Sequence, residues 1–440
     1  MKLRVFYATD GDCLLLTSSD KRHLLVDGGR GDSFETQTWP VLQALAKAKR
    51  PIDLVVVSHI DADHISGILW LMKVAAAWAV YDYQTTTGGN PAFPEPATTR
   101  PPAIGGLWHN SWRAQLGDLA EPIEAYLSRV GPGLQAAVVD RSTISAAALE
   151  LIDAVEELAE SIPQGIELLR VVDDETPIPR NKPFGKLVLL KNPPHVETLG
   201  KVELTVIGPA RKHLETLREE WQEWLGGLAG SAPTGPPPQP GGPGLAADVG
   251  LPAAPGGPTE AQQLVASLEA AVKVIVVSDP SKVTPPNRAS ITLLAEEDDR
   301  TCLLTGDAAE EEILEGLDAA GRIVGGRFWC NVVKVQHHGS EHNLSQVFAG
   351  TVLADDYLLC GDGASGNPEA SVVKTIIETR RKADPRPFRI WFNCSPERTR
   401  PNRRKALRAA IKEATKAAEK HAGITVNVLA DAKDSFEITV

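Results

Sequence analysis

Apolar positions in the first eighty residues come in short runs cut by charged turns. "LRVFYA" and "DCLLLTS" predict two strands, and "SDKR" turns the chain into a third, "HLLVDGG", which stops at paired glycines. Around "TWPVLQALAKAKR" the spacing becomes helical, with Pro51 marking the end. "IDLVVVSH" is a continuous β-branched run, the pattern of a strand buried on both faces, and "HISGILWLMKVAAAWAV" predicts a helix after it.

From about Tyr81 to Lys201 the pattern loosens. A turn-rich loop is followed by "STISAAALELIDAVEELAESI", an amphipathic helix with a Ser/Thr start, so 81–201 reads as an insertion upon a core. "KLVLLK" and "VELTVIGPA" resume the strands. Residues 226–258 are Pro/Gly/Ala-rich, with too few apolar side chains to offset ordering entropy, and predict a flexible loop or linker. Strands return at "VKVIVVSD", in the hairpin "SITLLAEEDDRTCLLTGD", and at "NVVKVQHH" and "DDYLLC". Residues 401–440 predict a basic helix and a β-hairpin. The whole order suggests one α/β domain over 1–440, with layered sheets covered by helices.

With 42% hydrophobic and 23% charged residues, the chain has the mix of a globular protein. Its net charge of −12 excludes coating nucleic acid through bulk positive charge, but not a cleft whose field is set by bound cations and local basic residues. Cys13, Cys302, Cys330, Cys360 and Cys394 are scattered, with no C-x-x-C pair, which gives no disulfide framework and points to a reducing compartment. Asp10 and Asp12 interrupt the start before a signal-peptide apolar region forms. No run reaches the roughly 18 consecutive apolar residues of a membrane helix. A cytoplasmic protein with no membrane partner is expected.

The chemistry concentrates at strand ends. "VVVSHIDADHISGI" puts His59, Asp61, Asp63 and His64 into six residues after a buried strand. Imidazole and carboxylate are ligands for zinc, manganese or iron, and two histidines with two acids at such a mouth need a cation to offset repulsion and desolvation. The plainer alternative is a helix start capped by Asp61 or Asp63. "TCLLTGDAAEEEI" places Asp307 after another apolar strand, and "NVVKVQHHGSEHNLS" places His337 and His338 after a third. Adjacent histidines on a strand face opposite ways, so one can ligate while its neighbour packs or assists.

In order, "DGDCLLL", "LLVDGG", "SHIDADHISG", "LLTGD" and "VKVQHHGS" resemble the metallo-β-lactamase-fold hydrolases, most nearly the ComEC-type domain at the end of the DNA-uptake channel protein. The resemblance spans Tyr7 to about Pro368. It implies an αββα sandwich of two packed mixed sheets with outer helices, and one or two divalent metal ions, zinc or manganese, at one edge. By motif, His59 and Asp61 would serve the first metal, Asp63 and His64 the second, with Asp307 bridging and His337 or His338 completing the set. Asp27 would orient a ligand histidine.

Two positions depart from relatives. Asn287 and Ser290 stand near a slot that is histidine in many of them, and Asn367 replaces a histidine in "GNP". His109, Ser340 and His342 are further substrate-contact or orienting candidates, with packing the plainer role for His109. Arg403, Arg404, Lys405, Arg408, Lys412, Lys416 and Lys420 form a helix face that is ordinarily solvated, yet is the best local surface for phosphate.

The expected activity is metal-dependent hydrolysis, with Asp63 or Asp307 orienting water and His337 or His338 donating to the leaving oxygen. The resemblance tilts the substrate toward phosphodiesters, hence a nuclease or phosphodiesterase with nucleic acid as partner. The alternatives are a small-ester, lactone or thioester hydrolase, and a binding module whose metal site is degenerate.

Overall fold

The computed structural model describes residues 1–125, 146–229, 287 and 289–440. β1 (Lys2–Phe6), β2 (Leu14–Thr17) and β3 (His23–Val26) are antiparallel neighbours, and α1 (Trp39–Lys47) leads to β4 (Leu54–Val57), parallel to β3. α2 (Ala62–Thr86) precedes β5 (Leu107–His109), parallel to β4, and the short α3 (Trp112–Leu116). α4 (Ala146–Glu175), β6 (Val196–Leu199), β7 (Val202–Gly208) and α5 (Arg211–Ala229) follow. β8 (Thr292–Glu297) and β9 (Arg300–Leu304) form the expected hairpin. α6 (Glu310–Ala319), β10 (Phe328–Lys334), α7 (Gln346–Thr351), β11 (Val352–Leu359), α8 (Ala370–Ala383) and β12 (Phe388–Phe392) then alternate. α9 (Arg404–Lys420), β13 (Ile424–Val428) and β14 (Ser435–Thr439) end the chain.

The strands make two mixed sheets, ordered β14-β1-β2-β3-β4-β5 and β13-β12-β11-β10-β9-β8-β7-β6. Side-chain alternation builds the layers. Leu14, Leu16, Leu24, Val26 and Val56 of the first sheet meet Val206, Leu293, Cys302, Leu304 and Val332 of the second in a central core. Val55 and Val57, one residue out of phase, face outward onto Ile65, Ile68 and Met72 of α2. Leu303 and Val333 do the same on the other side, beneath Ile313 of α6, Val373 of α8 and Leu407 of α9. This is the expected four-layer αββα sandwich.

Parallel strands point their C-terminal ends one way, so the residues after β3, β4, β9 and β10 gather at one edge. The β1–β2 loop joins them there. A Cβ on Gly11 would stand 1.7 Å from the backbone oxygen of Asp63, so only glycine lets that loop lie on the start of α2.

Several expectations are corrected. Within 81–201, β5 extends the first sheet and β6 is an edge of the second, and α2 itself runs to Thr86. "KLVLLK" forms no strand. Its Val188 backbone is satisfied by the Asn110 side chain, which donates Nδ2–H to Val188 O and accepts from Val188 N, at 2.9 and 2.8 Å. The C-terminal strands are not a hairpin: β13 pairs parallel with β12 in one sheet, while β14 pairs antiparallel with β1 in the other. α5 extends to residue 229, whereas 230–258 and the strand expected at 272–279 lie outside the described residues. By length and composition α2 could cross a membrane, but here it is a core helix, with Ile65, Ile68, Leu71 and Met72 fully buried. The five cysteines are buried and free.

Candidate metal centre

The strand ends bring together donors from three distant segments. His338 Nε2 lies 3.1 Å from Asp63 Oδ2 and 3.1 Å from Asp307 Oδ2. His64 Nε2 lies 3.3 Å from His338 Nε2, 3.5 Å from Asp307 Oδ1 and 3.8 Å from Asp63 Oδ2. All four residues are at most 7% exposed. Two nitrogens bound to one tetrahedral zinc at about 2.05 Å would stand roughly 3.3 Å apart, so the His64–His338 spacing fits a shared ion. The donor set, two imidazoles and two carboxylates, suits zinc or manganese.

Each of three donors has a partner behind it. Asp27 Oδ2 stands 2.9 Å from His64 Nδ1, and its two oxygens accept from Ser58 N and Ser58 Oγ, both at 2.7 Å. That arrangement leaves His64 Nε2 to face the ion, the orienting role expected of Asp27. Asp12 does likewise for His338, its Oδ1 approaching Nδ1 at 3.4 Å, an ion-pair distance rather than an aligned hydrogen bond. A compact group of Asp12, His64, Asp307 and His338 therefore marks the site, with Asp12 on the far side of the His338 ring.

Lys334 braces the third donor. Its Nζ, almost fully buried, meets Asp12 Oδ2 at 2.5 Å, Gly306 O at 2.9 Å and Asp307 Oδ1 at 3.1 Å, which uses all three ammonium protons. Asp307 Oδ1, expected to bridge two metals, is thus held by an ammonium. Ser290 Oγ accepts the Asp307 N–H at 3.2 Å and fixes the backbone beneath it.

The buried acids set the electrostatics of the pocket. Burial would strip the protons from His64 and His338, yet Asp307 and Asp63 facing both, with Asp27 behind one and Asp12 behind the other, raise both imidazoles well above their ordinary range. Burial would raise Asp307 and Asp12, but His338 and Lys334 pull Asp307 well below the usual carboxylate range, and Lys334 brings Asp12 to about 2.

His59 and Asp61 form a second, sparser pocket. His59 is fully buried, its Nε2 is 3.3 Å from Asp61 Oδ2, and its ring stacks obliquely on His64 with centroids 4.2 Å apart. Neither His59 Nε2 nor Asp61 Oδ1 has a hydrogen-bond partner among the described residues. Asn287 turns its Nδ2 toward the His337 ring at 3.4 Å and leaves Oδ1 unpartnered among those residues.

The paired histidines diverge for a reason other than strand alternation. β10 ends at Lys334, and His337 and His338 sit in a turn at φ 45° and 53°. His338 enters the four-donor pocket. His337 is partly exposed and donates from Nδ1 to Asn343 Oδ1 at 2.7 Å; the Asn343 amide is oriented by its Nδ2 bonds to Asp307 O and Ala308 O. Of the other candidates, His109 lies fully buried in β5, and burial holds its imidazole down at about 3, a packing residue. His342 is exposed beyond the turn, and Ser340 Oγ accepts its backbone N–H at 3.4 Å, so both shape the turn rather than the pocket. Asn367 reaches His337 O with Nδ2 at 3.5 Å.

Sequence reasoning missed Asp12, Lys334 and the rim. Asp10 is gripped by Arg30, at 3.0 and 3.3 Å, and by Arg403 at 3.3 Å, while Arg403 also meets both oxygens of Asp362 at 3.0 Å. Arg403 therefore leaves the solvated helix face assigned to it and turns inward. The available signals were an acid pair flanking a glycine in "TDGDC" and a lone lysine inside an apolar strand.

No curated protein matches the chain. Residues 7–141 match the family model of the metallo-β-lactamase superfamily, a segment that contains Asp12, Asp27 and the His59–His64 motif but ends well before Asp307 and His338. With two packed mixed sheets under outer helices and that match, the chain has the metallo-β-lactamase fold, with a candidate metal site at the sheet edge where a metal-dependent hydrolase would carry its ion.

Proposed function

We propose that the protein is a metal-dependent phosphodiesterase acting on nucleic acid or related phosphodiesters. The observation that carries this reading is the convergence of Asp63, His64, Asp307 and His338, donors from segments up to 275 residues apart in sequence, with His338 Nε2 3.1–3.3 Å from each of the other three, the spacing of ligands that share an ion. A divalent cation bound there would supply a nucleophilic water near neutral pH and polarise the ester oxygen.

The chain's own residues fit the remaining tasks. His337, beside the pocket, has its tautomer fixed by Asn343, which leaves Nε2 to take up a proton. Burial holds its imidazole below the ordinary value, so it is neutral at pH 7 and acts as an acceptor. His338, enclosed by two carboxylates, serves as a ligand rather than as the proton donor. At the rim, two guanidinium groups already hold one carboxylate, Asp10, and Arg–carboxylate geometry is also Arg–phosphate geometry. α9, which follows Arg403, exposes Lys405, Arg408, Lys412 and Lys416. The motif order shared with the ComEC-type domain supports the same substrate class.

The test is hydrolysis of bis-p-nitrophenyl phosphate and single-stranded DNA, with and without added manganese or zinc, by wild type, Asp307→Ala and His338→Ala. Metal-dependent cleavage of both substrates, lost at least about a hundredfold in each variant, is expected, since even groups that only back a ligand cost 10–100-fold. Undiminished cleavage by both variants overturns the assignment.

A further inference from the structure

The charges of α9 are arranged against the helix's own stability. Lys405, Arg408, Lys412, Lys416 and Lys420 are exposed along one face, while Leu407, Ala410 and Ala414 are buried on the other. Arg408 and Lys412, Lys412 and Lys416, and Lys416 and Lys420 are like charges four residues apart, a spacing at which they repel. Arg404 and Lys405 stand in the first turn, where the helix dipole disfavours cations and no acid offsets them. On other helices Lys73 pairs with Glu167 and Lys212 with Glu315. Along this face only Arg408 makes an ion pair among the described residues, with Glu397 at 3.5 Å. An ordinary solvated face mixes its signs, and this one does so only at Glu419 in its last turn.

The stripe begins at the metal edge. β12 is parallel to β11 and β10 and so ends there, and β13 is parallel to β12, so the helix between them runs back from that edge over the outside of the second sheet. Arg403, directly before α9, turns inward to Asp10, whose loop lies on Asp63 at Gly11. We infer that this face of α9 binds the phosphate backbone of single-stranded nucleic acid and leads it over the Arg403 rim to the metal centre. This rests on the phosphodiesterase reading above. From Lys405 to Lys416 the face is about 17 Å long. That length spans about five phosphates of a stacked strand. Only Ala409 and Thr415 stand between the charges there, so no large apolar side chain is available to sink into a lipid surface. The metal-site donors are buried, and a flexible single strand can bend from the helix into such a recess where a stiff duplex cannot.

The experiment is fluorescence anisotropy of manganese-treated protein with a labelled phosphorothioate single strand of about 24 nucleotides, which keeps the backbone charge and resists cleavage. It compares wild type, the triple variant Arg408→Gln, Lys412→Gln, Lys416→Gln, and a charge-matched triple variant at the end of α1, Lys47→Gln, Lys49→Gln, Arg50→Gln. At about 50 mM salt the α9 variant should bind at least about tenfold more weakly than wild type. Its slope of log affinity against log salt should be shallower by about two, since each of the three lost cations contributes ~0.7. The α1 variant should match wild type in both. With ordinary DNA, the preference in kcat/KM for a strand of about 24 nucleotides over one of about 4 should shrink in the α9 variant alone. That variant should unfold no lower than wild type, because repelling pairs have been removed.

Unchanged affinity and slope in the α9 variant overturn the inference, as does an equal loss in the α1 variant or an undiminished length preference. So does wild-type binding to a duplex as tight as to the single strand, or binding to phosphatidylserine vesicles in place of DNA. Each of these leaves hydrolysis of bis-p-nitrophenyl phosphate, and with it the hydrolase reading, standing. Wild type that binds the strand with the expected salt slope but hydrolyses neither ester overturns the hydrolase reading instead.

Discussion

The two pockets at the sheet edge differ in how their donors are supported. In the four-donor pocket every imidazole has an acid behind it, Asp27 for His64 and Asp12 for His338, and Asp307 is braced by Lys334 and Ser290. In the other, His59 meets Asp61 and Ser58, and atoms of both His59 and Asp61 are left unpartnered among the described residues. A supported donor is already aimed before the ion arrives and loses little entropy on binding, whereas an unsupported one must be ordered by the ion itself. On the function proposed above, the contrast predicts that a cation fills the pocket of Asp63, His64, Asp307 and His338 before any that binds beside His59.

The sharpest way to break this contrast is to remove a supported donor. Asp307→Ala or His338→Ala should cost the tight equivalent outright, a fall of at least about a hundredfold in manganese affinity by calorimetry, well beyond that of any backing residue. Lys334→Met comes next. It strands Asp12 and Asp307 as unpaired buried acids, and the metal-free protein should lose about 3–5 kcal/mol in chemical denaturation. An unchanged midpoint would mean that the ammonium does not hold the pocket. Asp27→Asn keeps every ligand and weakens only the backing of His64, so tight-site affinity should drop about 10–100-fold, with the protein still folded.

Proton linkage sharpens the comparison further. Without metal, His64 and His338 have raised affinity for protons, and a ligand imidazole must give its proton up. Tight-site affinity should therefore rise with pH through the neutral range, and binding should release protons, read as a dependence of calorimetric heat on the buffer's ionisation enthalpy. Affinity that is flat with pH would show the two imidazoles to be neutral beforehand. The smallest effect is expected from His59→Ala, which should leave the tight equivalent within about threefold and weaken only the second, on the same scale as loss of a backing group elsewhere.

How much of this was legible in the sequence follows from where each signal sits. Asp63, His64, Asp307 and His338 come directly after apolar strands, where a ligand-type residue stands out against hydrophobic neighbours. Choosing between His337 and His338 was beyond sequence, because a turn with two left-handed residues, not strand alternation, sends them apart. Asp12 was hidden because "TDGDC" is also ordinary turn composition, and only its close packing on Asp63 at Gly11 reveals its place. Lys334 was hidden because a lysine at a strand end commonly reaches for solvent, and nothing local shows two acids waiting for it. The final hairpin failed for a different reason: two strands six residues apart look like partners, but each pairs along its full five residues with a strand distant in sequence, β14 with β1 and β13 with β12, in separate sheets. The contacts of α4 with the 60–66 loop were invisible because they join residues about a hundred positions apart.

The most direct measurement is an anomalous difference map from a crystal of the protein grown with manganese. The account predicts its strongest peak between Asp63, His64 Nε2, Asp307 and His338 Nε2, at about 2.0–2.2 Å from each ligand atom. A map with no peak among those four side chains, or with its strongest peak at His59 and Asp61, would contradict it.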